Sequence, residues 1–255
     1  MLIEILGAVG MLAFLVSSAT IGVRLLLLHR RTSQVPELAL AVGFLVGGVV
    51  GYAPETVFLS FDFFSPEVEA TGLLLTQVAI RIAALSILLF TYSVFRSGVL
   101  WAKCWVTLLF GLLLLSWWMF PQTQTYAENA RDQLWYDVFT VARSTCIGWG
   151  ATESFIYYSK LRRRAALGLS DPVLTHRFLM WGVGLGAMTL LMATTLLASW
   201  VGVDPTVSGW VLLESTAGMT GAVTLWLTFF PTQAYRRWVL GRANATNEAA
   251  ENAPD

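Results

Sequence analysis

Long runs of apolar residues, separated by short polar segments, divide the chain into seven predicted membrane-spanning helices. About 20 apolar residues in a helix cross the hydrocarbon layer of a bilayer, and every run reaches that length. The predicted spans cover residues 2–28, 37–60, 71–95, 99–120, 134–159, 173–201 and 206–230. We therefore expect an all-α integral membrane protein whose seven-helix transmembrane domain occupies residues 1–242.

The second predicted span combines a glycine face with an internal proline. Gly43, Gly47, Gly48 and Gly51 recur on one side of the helix, and small residues let a neighbouring membrane helix approach closely. We expect this face to serve packing rather than ligand binding. Pro54 removes a backbone donor and frees a carbonyl, so we expect it to bend the helix near its far end.

Polar residues mark the ends of several spans. Arg30 and Arg31 end the first span, and Pro36 opens the second. Ser170 and Asp171 before Pro172 are typical of a helix start, with either the serine or the aspartate as the capping side chain and proline in the first turn. The final segment, residues 243–255, is rich in Ala, Asn and Glu, so we expect a disordered cytoplasmic tail.

Composition agrees with a membrane protein. The chain is 56% hydrophobic and 13% charged, whereas soluble domains contain about 25% charged residues. The formal net charge is zero, and no basic stripe points to nucleic acid. Glu4 lies in the first run and the basic residues follow it, which favours an uncleaved first span with its N-terminus outside.

The distribution of basic residues predicts the orientation of the spans. Lys and Arg concentrate in cytoplasmic loops. With the N-terminus outside and the C-terminus cytoplasmic, Arg131 is the basic residue of the outer loops. The inner loops and tail then hold the following: Arg30, Arg31, Arg96, Lys103, Lys160, Arg162, Arg163, Arg164, Arg177, Arg236, Arg237 and Arg242. We expect a multi-pass protein of a bacterial-type inner membrane or plasma membrane.

Five charged residues fall within the predicted spans and in their outer half. They are Glu55, Arg81, Asp137, Arg143 and Glu214. Isolated charges in hydrocarbon are costly, so such residues usually face the bundle interior and pair with one another. We expect an outward-facing polar cavity between the second, third, fifth and seventh spans, in which carboxylates neutralise the two arginines. The alternative is an ion-pair network that only fixes helix packing.

A second polar group is predicted at the inner rim of the bundle. Glu153 lies in the lower half of the fifth span, and Arg24, His176 and Arg177 lie at a comparable depth. We expect Glu153 to pair with one of these three residues. A structural role in anchoring the helices is the simpler interpretation, and a gating role is the alternative.

Several cofactor classes lack their ligands in this sequence. A retinal protein needs a Schiff-base lysine within a span, whereas Lys103 and Lys160 lie at span ends. Zinc and haem sites need several histidines, and the two present are His29 and His176. We therefore expect no retinal, haem or zinc, and no enzyme activity. A carotenoid or quinone held between aromatic side chains stays open.

Two functions fit this pattern. The first is a receptor-like, sensory or accessory membrane protein that binds a small or amphipathic ligand, or a partner, from the outer side. The second is a transporter or channel for a small solute or ion. We expect contact with the lipid bilayer, and a cytoplasmic or membrane protein partner at Lys160–Arg164 and Tyr235–Arg237. A homo-oligomer remains an alternative, and no nucleic-acid partner is expected.

Overall fold

The computed structural model describes residues 2–60, 63–123, 134–165, 167–202 and 208–251, with the side chains of 2–7, 59–60, 120–123, 208, 211, 214 and 243–251 left out. The described residues are helical, and no strand occurs among them. The helices are α1 (Leu2–Thr32), α2 (Val35–Phe44), a π-helical segment (Leu45–Tyr52), α3 (Ala53–Ser60), α4 (Pro66–Phe95), α5 (Leu100–Thr123), α6 (Leu134–Ala165), α7 (Pro172–Val201), α8 (Ser208–Phe229) and α9 (Gln233–Glu251).

Five helical stretches are long and apolar enough to cross a membrane by length and composition. They are Ala8–Thr32, Val35–Phe58, Pro66–Phe95, Leu100–Met119 and Pro172–Val201. Large apolar side chains such as Leu12, Leu75 and Leu114 are exposed on their outer faces, an arrangement that suits contact with lipid rather than water. The all-α prediction is confirmed, and the helices are consistent with a multi-pass membrane protein.

Six helical rods form a closed ring. In order around it, α1 packs against α2, α2 against α4, α4 against α6, α6 against α7, α7 against α8, and α8 against α1. The helix α5 lies outside the ring, against α4 and α6. The ring leaves interior space between α1, α6, α7 and α8, and this space holds the candidate site.

The second predicted span is one continuous rod with a π-helical centre. The backbone N–H of Ala53 bonds to the carbonyl of Gly48, five residues earlier. Pro54 follows, and it has no N–H to continue an α-helical ladder. The wide π turn therefore lies before the proline, in the segment that carries Gly47, Gly48 and Gly51. Such turns are rare and often occur at functional sites.

The glycine face of this rod packs closely, as predicted. A Cβ atom on Gly47 would lie 2.5 Å from the Cβ of Ala83, and one on Gly48 would lie 2.3 Å from the Oγ of Ser18. The Ser18 hydroxyl donates a hydrogen bond of 3.0 Å to the carbonyl of Phe44. The glycines therefore let α1 and α4 approach the π segment from two sides.

The helix ends agree with the sequence in one place and differ in another. Asp171 caps α7 as predicted: its Oδ1 accepts a hydrogen bond of 2.8 Å from the N–H of Val173, and Pro172 is the first helical residue. By contrast, α9 continues to Glu251, so residues 243–251 are helical where the sequence predicts disorder. Ala and Glu are good helix formers, and extending an existing helix is easier than starting one.

Candidate functional site

A cavity of about 370 Å³ lies inside the helical ring, between α1, the end of the π segment, α6, α7 and α8. It occupies the half of the bundle that contains the start of α1 and of α6. Its polar wall includes Tyr52, Tyr136, Thr140 and Arg143. Its apolar wall is formed largely by aromatic and thioether side chains, of which three are Phe14, Met188 and Met192.

Arg143 is the cationic group on the cavity wall. Its Nη1 donates a hydrogen bond to the hydroxyl of Tyr52, 3.2 Å away, and its guanidinium carbon lies 4.8 Å from the centre of the Phe139 ring. Glu55 and Tyr136 interact with it electrostatically. Its Nε is buried and has no hydrogen-bond partner among the described residues. The guanidinium is thus held in position by Tyr52 and Phe139, and its buried Nε is unpartnered among the described residues.

Thr140 lies almost one helical turn before Arg143, on the same face of α6. Its side chain is only 2% exposed, and within the described part of the chain its Oγ1 has no hydrogen-bond partner. A buried polar group without a partner costs free energy, and Thr140 also lines the cavity. Sequence reasoning missed Thr140, because a threonine in an apolar run carries no distinctive signal.

Arg81 also contacts the ring of Phe139. Its guanidinium stacks on that ring at 3.8 Å and approaches the ring of Trp117 at 5.4 Å. Its Nη1 donates to the carbonyl and to the Oε1 of Gln77 at 3.1 and 3.2 Å. Since the Gln77 amide in turn donates to Glu55 Oε1 at 2.8 Å, these side chains form a chain leading from α4 to α3.

The sequence predicted one cavity shared by Arg81 and Arg143. Among the described residues that line the cavity, Arg143 is present and Arg81 is not. The Phe139 ring contacts both guanidinium groups. An aromatic face attracts a cation, so one ring on α6 contacts two cations on different helices.

Asp137 accepts a hydrogen bond of 2.8 Å from the indole of Trp200.

The side chain of Glu214 lies outside the described residues, although α8 carries its backbone. The neighbouring Ser215 lines the cavity. The role predicted for Glu214 remains a prediction.

A smaller chamber of about 40 Å³ lies deeper in the bundle and adjoins the cavity at Phe14 and Arg143. Its wall is mainly apolar and includes Ile147, Leu185 and Leu225. The polar lining of the larger cavity thus gives way to an apolar one directly below Arg143.

Glu153 pairs with Arg96 and not with Arg24, His176 or Arg177. The Nε of Arg96 lies 2.7 Å from Glu153 Oε1, and the indole of Trp149 donates to the same oxygen at 3.1 Å. The Glu153 side chain is 6% exposed and that of Arg96 is 30% exposed. The sequence placed Arg96 in a loop, but the residue directly follows α4 and can reach back to α6.

The other three inner-rim residues gather around the end of α8 instead. Arg24 stacks on the ring of Phe230 at 4.6 Å, and the Nε of Arg177 donates to the carbonyl of Thr228 at 2.6 Å. The Nδ1 of His176 lies 2.6 Å from the hydroxyl of Tyr235. This second group joins α1, α7, α8 and α9.

Metal-binding chemistry finds no support in the part of the chain that the structure describes, where no three His, Cys, Asp or Glu residues are grouped as ligands. Comparisons with protein-family models, curated proteins and solved structures give no match.

Proposed function

We propose that the protein is a receptor-like or accessory membrane protein that binds a small amphipathic ligand in the cavity beside Arg143. The observation that carries this proposal is the position of Arg143 on a cavity wall with a buried, unpartnered Nε. A volume of about 370 Å³ falls within the range of roughly 300–1,000 Å³ that is usual for ligand sites.

The two walls of the cavity define the chemistry of the ligand. Arg143 and Thr140 offer hydrogen-bonding groups on one side, which suits a carboxylate or a similar acceptor group. Phe14, Met188 and Met192 line another side, and methionine adapts to apolar groups of varied shape. A short amphipathic molecule with an acceptor head and an apolar tail satisfies both walls.

The proposal includes seven membrane crossings with the N-terminus outside and the C-terminus cytoplasmic. Both α6 and α8 pack along α7. Since α7 is long and apolar enough to span a membrane, we expect α6 and α8 to cross the membrane beside it. The basic residues favour this orientation. The cavity then faces the outer side of a bacterial-type inner membrane or plasma membrane.

Binding accounts for the cavity better than transport or catalysis. A transport path needs suitable groups on both sides of the site, whereas the chamber below Arg143 is small and mainly apolar. No base or nucleophile pairs with Arg143 among its described contacts. A bound ligand would signal through a partner at Lys160–Arg164 or Tyr235–Arg237, where basic residues are exposed.

The test compares ligand binding by the wild-type protein and by a cavity-filled variant in lipid nanodiscs. Gly218 lines the cavity, and a Cβ atom there would meet nothing within 4 Å. Gly218→Leu should therefore fill the cavity without a backbone clash. The control is Gly111→Leu on α5, which also has open space around it.

Decanoate, decanol and decyltrimethylammonium serve as probes that share one tail and differ in the head group. We expect decanoate to raise the unfolding temperature of the wild type and of Gly111→Leu, and to have little effect on Gly218→Leu or Arg143→Met. Equal responses of all four proteins would contradict the proposal. Decanoate flux through liposomes that depends on Arg143 would favour the transporter instead.

A further inference from the structure

Three arginines from three different helices lie near the point where α8 ends and α9 begins, at the end of the bundle opposite the cavity. Arg24 stacks on the ring of Phe230, Arg177 donates to the carbonyl of Thr228, and Arg236 is the fourth residue of α9. Electrostatic interactions connect Arg177 on α7 with Arg24 on α1 and with Arg236 on α9. Arg24 and Arg236 are exposed, and Arg177 is partly buried. Like charges repel, so this arrangement is costly unless an anion lies between them.

Arg177 is held in a fixed position within this group. Its Nε donates to the Thr228 carbonyl at 2.6 Å, and the described contacts leave both Nη atoms available. A guanidinium presents its donors in a planar fork that matches phosphate oxygens. Fixing one nitrogen to the backbone therefore orients the remaining donors before any anion arrives.

The acidic group that interacts with Arg177 is Asp171. Its Oδ1 already accepts the N–H of Val173 at the start of α7, so its charge is partly engaged in capping that helix. His176 is likewise occupied, since its Nδ1 bonds to Tyr235. Within the described part of the chain, positive charge thus outweighs negative charge around Arg177.

The surroundings of the three arginines resemble the edge of a membrane. Trp226 and Phe230 stack at 4.6 Å, and Trp238 on α9 is exposed next to Arg242. Tryptophan is enriched at the level of lipid headgroups. Arginine side chains at this level extend their charged ends toward the headgroups while their stems stay on apolar surface.

We propose that Arg24, Arg177 and Arg236 form a binding site for the phosphodiester headgroup of an anionic phospholipid. The phosphate oxygens accept hydrogen bonds from the Nη atoms of Arg177, and the exposed Arg24 and Arg236 complete the charge balance. Since Arg236 lies on α9, a bound headgroup also fastens that helix to α1 and α7. The site is independent of the ligand cavity.

The experiment uses the full chain in nanodiscs of phosphatidylcholine alone or mixed equally with phosphatidylglycerol. The test variant is Arg24→Gln/Arg236→Gln. The control variant, Arg163→Gln/Arg164→Gln, removes the same charge from exposed residues at the end of α6. Native mass spectrometry counts retained phosphatidylglycerol, and tryptophan fluorescence follows thermal unfolding.

We expect the wild type and the control to retain phosphatidylglycerol and to unfold at a higher temperature in the mixed nanodiscs. Each arginine removed from the site should weaken retention about 5-fold, as expected for one basic residue near an anionic surface. Equal retention by the two variants, or no preference of the wild type for phosphatidylglycerol, would overturn the proposal. The lipid assignment would also be overturned if free inorganic phosphate in phosphatidylcholine nanodiscs reproduced the stabilisation.

Discussion

The guanidinium of Arg143 donates a hydrogen bond of 3.2 Å to the hydroxyl of Tyr52. Tyr52 is the last residue of the π segment, whereas Arg143 lies on α6, so the bond links two helical rods across the interior of the ring. It fixes the cation at the junction of the larger cavity and the smaller chamber.

Tyr52→Phe removes the acceptor of this bond and keeps the ring. We expect a loss of about 1.5–3 kcal/mol in the free energy of unfolding, the range for hydrogen bonds to charged groups. Decanoate should still bind, because the Arg143 cation remains. Chemical unfolding in detergent measures the loss, with Tyr158→Phe near the C-terminal end of α6 as the control. Unchanged unfolding would mean that the bond is unimportant for stability.

Glu153→Gln breaks the ion pair with Arg96 inside a largely buried site. We expect a loss of about 2 kcal/mol in the free energy of unfolding, since the carboxylate accepts two hydrogen bonds, from Arg96 and Trp149. The exposed Glu67 offers a matched control in Glu67→Gln. The exchanged pair Arg96→Glu/Glu153→Arg should recover part of the stability. If the double variant loses more free energy of unfolding than the two single variants lose together, the pairing is contradicted.

Gly48→Ala should disturb the contact between α1 and the π segment. The added Cβ would lie 2.3 Å from Ser18 Oγ and 2.6 Å from Ser18 Cβ, and overpacking of this kind costs about 1–3 kcal/mol. Gly111→Ala has open space around it and should be neutral. Ser18→Gly, combined with Gly48→Ala, should restore part of the loss measured by thermal unfolding. If the pair is no more stable than Gly48→Ala alone, the clash is not the cause.

The contact of Tyr235 with His176 should weaken at alkaline pH. Burial raises the pKa of Tyr235 above its ordinary value of 10.0, and nearby Arg177 partly offsets the shift. Below pH 10 the phenol is protonated both when α9 is docked and when it is free, so the contact contributes fully. As the pH rises through the raised pKa, the contact is lost.

Fluorescence of Trp238, which packs on His176, reports this release of α9. The wild type should show a transition above pH 10 that is missing in Tyr235→Phe. If both proteins show the same transition, a titrating group other than Tyr235 causes it.

Local features of the fold could be predicted from the sequence because they depend on neighbouring residues. The Asp171 side chain caps the N–H of Val173, which lies only two residues further along the chain. The glycine face follows from spacing along one helix. The extension of α9 was missed because composition alone underestimates how readily a helix continues through Ala and Glu.

The candidate site was harder to predict because lipid and protein interior are both apolar. Periodicity therefore does not reveal which face of a span turns inward. The sequence identified Arg143, and it placed Arg81 in the same cavity because the two residues have similar depths. Both guanidinium groups contact Phe139, a residue that looks like any other in an apolar run.

The unbroken helix α6 carries Arg143 and Glu153 ten residues apart, about 15 Å along its axis. One residue lies on the cavity wall, and the other anchors the end of α4 through Arg96. Because α6 is one unbroken helix, a ligand that shifts the part beside Arg143 would also shift the part that carries Glu153. A change in the contact between Arg96 and Glu153 would then indicate that a ligand occupies the cavity, although neither residue is among those that line it.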